Sequence, residues 1–282
     1  MSNDKDKIKK QDVLLGIKHG RTLSQILFLG LTVWVAYRML SGVRGATIEK
    51  YCPFGGVETL FPWLNKTGTL CSLSTMNISV LAGVLLITLL YKRAFCSHIC
   101  PVGALSEWIA LIGRRYIIKS RRVPSKVDRP LKWLKYPVLA LIVWGTVRVG
   151  ELIFREVDPY YVLFTLGRGH GIAEGVIGIG GYSLVIILIL FGLNVVLPLA
   201  FCKYLCPMAA CLNPLSRIGL IRVRRNPDTC IDCRRCDVTC QWGVKVSDVG
   251  SVGSAECSNC QDCVRSCPVP DTLTLSFGRS RS

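Results

Sequence analysis

Two cysteine runs near the end of the chain carry the most specific chemistry. Cys230, Cys233, Cys236 and Cys240 are separated by two, two and three residues. Cys257, Cys260, Cys263 and Cys267 repeat that spacing, and Pro268 follows. Three thiolates on a tight loop can hold three irons of a cubane, while the fourth, displaced by a turn, ligates the other cluster. The spacing therefore predicts one [4Fe–4S] cluster on Cys230, Cys233, Cys236 and Cys267. A second falls to Cys257, Cys260, Cys263 and Cys240. Zinc would take two CxxC pairs per site, not a triple plus one.

A second cysteine pattern lies upstream. Phe95-Cys96-x3-Cys100-Pro101 recurs as Phe201-Cys202-x3-Cys206-Pro207, an offset of 106 residues. Cysteines four apart share one face of a helix, and the proline ends or redirects it. Cys96, Cys100, Cys202 and Cys206 could together hold a further Fe–S centre or another metal. Redox-active dithiols and packed, inert thiols are the alternatives. Cys52 and Cys71 form a pair found in one half only, open to a disulfide, to ligation or to redox chemistry. Cys211 reads as a packed free thiol.

The elements that must position these groups are apolar. The 282 residues are 50% hydrophobic, with a mean hydropathy of +0.41, which predicts several membrane spans. Uncharged or nearly uncharged stretches fall at 23–42, 72–91, 136–154 and 175–201, each about one hydrocarbon thickness as a helix. The net charge of +17 does not mark a nucleic-acid binder. Residues 226–282 carry 6 Lys/Arg and 7 Asp/Glu, so the positive charge belongs to the loops between apolar stretches. The segments before the first stretch, between the second and third, and after the fourth hold 22 Lys/Arg, against 5 in the other two loops. That bias predicts a cytoplasmic location for both termini and for the thiolate runs, in the reducing compartment that free thiolates need.

The resulting expectation is an all-α membrane protein of four transmembrane helices, built as two parallel pseudo-repeats. Residues 1–22 form a cytoplasmic segment, and 23–225 the membrane domain, with halves near 23–120 and 129–225. Residues 226–282 form a two-cluster ferredoxin domain. Pro53, Thr59 and Leu60 recur as Pro159, Thr165 and Leu166 in the same register as the cysteine motif. Pro53-Phe54-Gly55-Gly56 and Asp158-Pro159-Tyr160-Tyr161 read as turns in the outer loops. Residues 105–112 and 212–221 read as short interfacial helices. Glu49, Arg148, Glu151, Glu156 and Asp158 are candidates to bind a quinol headgroup and take its protons.

Four spans, paired CxxxCP motifs and a terminal pair of cluster motifs resemble the NapH-type membrane ferredoxins, and the same core resembles NosR-type and MauN-type proteins. The resemblance covers nearly the whole chain. It implies an inner-membrane subunit of a bacterial quinol dehydrogenase system that passes electrons between quinone and partner redox proteins. The eight cysteines of the two runs take the cluster role under it, and the four CxxxCP cysteines an essential one. A CcoG-like role in metal reduction during enzyme assembly, or redox sensing, is the rival reading.

Overall fold

The computed structural model describes residues 2–42, 51–64, 74–116, 123–149, 154, 158–165 and 179–278. The chain divides into two compact units, Met1–Phe28 with Ile87–Cys100 and Leu212–Ser282, and Leu29–Leu86 with Pro101–Cys211.

Helix α1 runs over Ser2–Leu40, so the basic start and the first apolar stretch form one element. Its segment Gly20–Met39 is, among the described residues, the one helical stretch long and apolar enough to cross a membrane. The other three apolar stretches give α3 (Ser74–Tyr91), α7 (Lys135–Val149) and α9 (Ile179–Val196). Met76–Tyr91 and Val185–Val196 are apolar but shorter than a full span. Large apolar side chains stay exposed along α1 (Leu27, Trp34, Tyr37), α7 (Leu141, Trp144) and α9 (Leu188, Ile189).

The two outer-loop prolines open helices, where turns are predicted. α2 spans Pro53–Leu64 and α8 spans Pro159–Thr165. Proline suits the first helical position, because its missing N–H would have no partner there. Asp158 completes the start of α8 by accepting the Tyr160 N–H at 3.0 Å. Gly56 lets α2 approach α3, since a Cβ there would stand 2.5 Å from the Asn77 carbonyl. In the same unit α5 (Pro101–Tyr116) packs on α9, with Gly113 against Val195. α6 covers Ser125–Leu131, between the second and third apolar stretches.

Element order recurs along the chain. A Pro-started helix (α2, α8), an apolar helix (α3, α9), a five-residue helical turn and a second Pro-started helix follow one another twice. The turns are α4 (Ala94–His98) and a π-turn (Phe201–Leu205). The second Pro-started helices are α5 and α10 (Pro207–Ile218). Both thus begin earlier than the interfacial helices expected from composition.

In the first unit, β1 (Ile221–Arg225) pairs antiparallel with β2 (Leu273–Phe277), Ile221 opposite Phe277. β1 lies in residues that the sequence assigns to the end of the membrane part. Its partner strand joins it to the cysteine-rich segment instead. One-turn helices α11 (Arg235–Thr239) and α12 (Asp262–Ser266) pack on each other.

Candidate iron–sulfur centre

Each thiolate run is shaped by two left-handed residues around its middle cysteine. Asp232 (φ 49°) and Arg234 (φ 54°) flank Cys233, and Asn259 (φ 54°) and Gln261 (φ 63°) flank Cys260. Non-glycine residues adopt this conformation infrequently, Asn and Asp most readily. Here it curls the loop tightly around that cysteine. A one-turn helix follows each loop, and the fourth cysteine caps it in an extended conformation, Cys240 at ψ 106° and Cys267 at ψ 122°. The same construction appears twice, as two equivalent ligand loops require.

The second ligand set closes around a common space. Cys240, Cys257, Cys260 and Cys263 line one cavity, walled by Val223, Trp242 and Val252. These are the four cysteines that spacing assigns to one cluster, with the cross-ligand Cys240 among them. Burial pushes the Cys257 thiol up, and the nearby Lys92 ammonium pulls it down. In the first set, burial raises Cys236 to about 11, with Asp237 and then Cys267 among the further causes. Cys233 is exposed, and the loop 231–235 around it faces solvent throughout. Among the described residues, no three or more Cys, His, Asp or Glu side chains gather at the spacing of one metal ion's ligands. A cubane distributes its thiolates over separate irons, so a shared cavity rather than a mononuclear shell is the fitting arrangement. When bound, a [4Fe–4S] cluster supplies a one-electron redox site; the residues present fit it.

The first CxxxCP motif abuts the second ligand loop. Ser97, between Cys96 and Cys100, donates to the Ser258 carbonyl at 3.0 Å. Ser258 lies between Cys257 and Cys260. Gln25 of α1 donates to the Ser97 carbonyl at 2.9 Å. Arg21 donates to the Cys260 carbonyl at 3.0 Å and pairs with Asp262 at 3.1 Å. At the end of α3, Arg93 is fully buried, pairs with Glu256 at 2.8 Å and lies 4.7 Å over the Trp242 ring. Neighbouring Lys92 donates to the Val252 carbonyl at 3.1 Å. Burial lowers Lys92 to about 8, opposed by the charge of Cys257.

The CxxxCP motifs are not uninterrupted α-helical faces. In both, the second cysteine's N–H reaches back five residues to the phenylalanine carbonyl, Cys100 to Phe95 at 3.0 Å and Cys206 to Phe201 at 2.9 Å. The bond is π-type, so the helix widens by a residue before the proline starts the next one. This corrects the expected placement of both cysteines on one α-helical face. Cys96, Cys100 and Cys206 are partly exposed and Cys202 is buried. The first motif belongs to one compact unit and the second to the other. In the second, Tyr204 donates to Asp128 at 2.7 Å, and Asn194 accepts the Ala200 N–H at 2.8 Å.

Of the proposed headgroup ligands, Glu49, Glu151 and Glu156 lie outside the described residues, as does Cys71. Arg148 ends α7 with its guanidinium 5.6 Å over the Trp144 ring. Cys52 is a free thiol that donates to Asp158 Oδ2 at 3.4 Å. The two residues are equivalent under the 106-residue offset. Burial raises Asp158 to about 6. Sequence reading missed Glu58, which is 4% exposed and accepts from Thr146 Oγ1 at 2.9 Å. Burial raises Glu58 to about 7. Its signal was a lone carboxylate in an otherwise apolar helix, Pro53–Leu64. Cys211 is a free thiol in α10, raised by burial to about 11.

A family model described as a 4Fe-4S binding domain matches residues 73–119 and 179–226, two segments that start 106 residues apart. Each contains one CxxxCP motif. The Escherichia coli protein YccM, whose name assigns it provisionally to electron transport, is 29% identical over 90% of this chain and 72% of its own length. The ferredoxin-type protein NapH of Escherichia coli is 29% identical over 91% of this chain and 88% of its own. The methylamine utilization ferredoxin-type protein MauN of Paracoccus denitrificans is 30% identical over 57% of this chain and 53% of its own. No solved structure matches the chain.

Proposed function

The chain belongs to the NapH-type family of ferredoxin-type iron–sulfur proteins, and on that premise we propose that it is an integral membrane subunit relaying electrons between a quinone pool and partner redox proteins. The observation that carries the reading is the Ser97–Ser258 hydrogen bond, 3.0 Å long, which joins the first CxxxCP motif to the loop of the second ligand set. The set beside that motif is the membrane-side one. The first set, with exposed Cys233, is the partner-side one.

Membrane insertion is supported by Gly20–Met39 and by the exposed apolar faces of α1, α7 and α9. A soluble protein rarely leaves such faces uncovered. A four-span, two-repeat plan with cytoplasmic termini in a bacterial inner membrane draws on three things. The family model matches twice at one offset, the π-type bonds at Cys100 and Cys206 are alike, and Cys52 meets its counterpart Asp158. The quinone site is assigned to the outer loops, with Asp158 and Glu58 as its proton-accepting groups and Arg148 as a further candidate. The four CxxxCP cysteines are candidates for a further redox centre. The terminal reaction belongs to partner subunits.

Anaerobic mixing of detergent-purified protein with a short-chain quinol, followed by rapid absorbance and EPR, tests the relay. The expected result is electron exchange in one direction, with quinol reducing the oxidised protein or quinone oxidising the dithionite-reduced protein. Absence of exchange in both directions, in protein that dithionite reduces fully, would remove the quinone from the reading and favour metal reduction or sensing.

A further inference from the structure

Lys92 combines two features that each oppose folding. Its backbone is left-handed at φ 61°, a conformation that glycine commonly supplies after a helix and that strains other residues. Its side chain is 0% exposed. Among the described residues the ammonium meets no carboxylate, and its hydrogen bond goes to the Val252 carbonyl at 3.1 Å. A buried ammonium persists only where something compensates its lost hydration. Arg93, next to it, has Glu256 for that purpose.

The compensation for Lys92 comes from the thiolate side. Lys92 reaches the wall of the second ligand set through the Val252 carbonyl. Val252 and Cys257 both line the cavity shared with Cys240, Cys260 and Cys263. Gly219 preserves the seat, since a Cβ there would stand 2.7 Å from Lys92 Cγ. Under the 106-residue offset, Lys92 and Arg93 correspond to Pro198 and Leu199. The second half thus has no counterpart of the cationic pair at these two positions.

We propose that Lys92 is the counter-charge of the second ligand set and raises the reduction potential of the cluster held there. The inference rests on the ligand assignment above. Reduction adds a negative charge to a thiolate-bound cluster, and a buried cation favours the reduced form because charges interact strongly where water is excluded. The first set has a surround of its own, with Asp232 and Arg225 beside Cys230 and Asp237 beside Cys236. Lys92 also lies at the C-terminal end of α3, where a cation complements the helix dipole. That role alone would move stability and leave both potentials in place.

An EPR-monitored redox titration of the full-length protein in detergent, with iron analysis, separates these roles. Lys92→Asn and Lys92→Gly both tolerate the left-handed backbone and remove the charge; Lys92→Arg keeps it. The expected result is that both neutral variants retain wild-type iron and lower the potential of one cluster, leaving the other unchanged. At the wild-type midpoint the oxidised-to-reduced ratio of that cluster rises about tenfold or more, about 59 mV for one electron, and Lys92→Arg stays near wild type. Unshifted potentials, an equal shift of both clusters, or loss of iron in both neutral variants would overturn the proposal. A wild-type protein without two cluster signals would instead sink the ligand assignment. Two signals without quinone exchange would sink the relay and leave the Lys92 proposal standing on its own titration.

Discussion

Glu58 and Asp158 are held in protein rather than water, and burial raises Glu58 to about 7 and Asp158 to about 6. In the unfolded chain both return to ordinary carboxylate values. The native state therefore binds more protons between about pH 4 and 7, and stability falls as pH rises through that window. The carboxyl groups favour the fold fully below the unfolded values and lose that advantage above the folded ones. Glu58→Gln is expected to flatten this slope and gain on the order of 3 kcal/mol at pH 8 relative to the parent. Thermal melts in detergent from pH 4 to 8 check it, and parallel pH curves for parent and variant would contradict the raised value. The cysteine residues of the two runs were legible from spacing alone. Glu58 was not, because a single carboxylate in an apolar segment does not reveal whether it points to lipid, water or protein. Lys92 was counted only as one basic residue among 22, since left-handed backbone and full burial have no one-residue signature.

At the scale of elements, close approach depends on small residues. Gly56 lies where α2 meets the start of α3, and an added Cβ would stand 2.5 Å from the Asn77 carbonyl and 2.8 Å from Leu81 Cβ. Backbone cannot yield as a flexible side chain does. Gly56→Ala is expected to destabilise this unit by about 1–3 kcal/mol, read as a lower midpoint in chemical denaturation, while the visible absorbance of the iron–sulfur chromophore persists before unfolding. Gly83, in the middle of α3 with open space around it, serves as the control: Gly83→Ala should be neutral or slightly stabilising. Helix existence was readable from apolar runs, and most of the predicted spans have a helix within a few residues. Their starts were not. Pro53 and Pro159 look like turn residues by composition, yet each is the first residue of a helix. Proline suits both settings, and only packing distinguishes them. The CxxxCP spacing likewise allows an α-helical face, whereas the phenylalanine carbonyls five residues back accept the second cysteine's N–H and widen the turn.

For the whole molecule, iron stoichiometry is the decisive count. Two thiolate sets predict about eight irons per chain, measured by anaerobic iron analysis and Mössbauer spectroscopy. Iron above that number, lost in Cys96→Ala and Cys202→Ala while the EPR of the two ferredoxin-type clusters survives, would establish a further centre at the CxxxCP motifs. About eight irons in both the parent and the variants would return those cysteines to dithiol or packing roles. The sequence by itself determined the spacing of the candidate ligand cysteines, the repeat offset and the apolar stretches. Each is a matter of residue type at fixed separation along one chain, which covalent geometry carries directly into local structure. Only the tertiary structure decided that Val223, Trp242 and Val252 wall the cavity lined by Cys240, Cys257, Cys260 and Cys263, and that β1 pairs across about fifty residues with β2. It alone brought Ser97, Lys92 and Arg93 to the second ligand loop. These contacts link segments more than a hundred residues apart, and long-range contacts follow from packing and charge compensation, which no local spacing encodes.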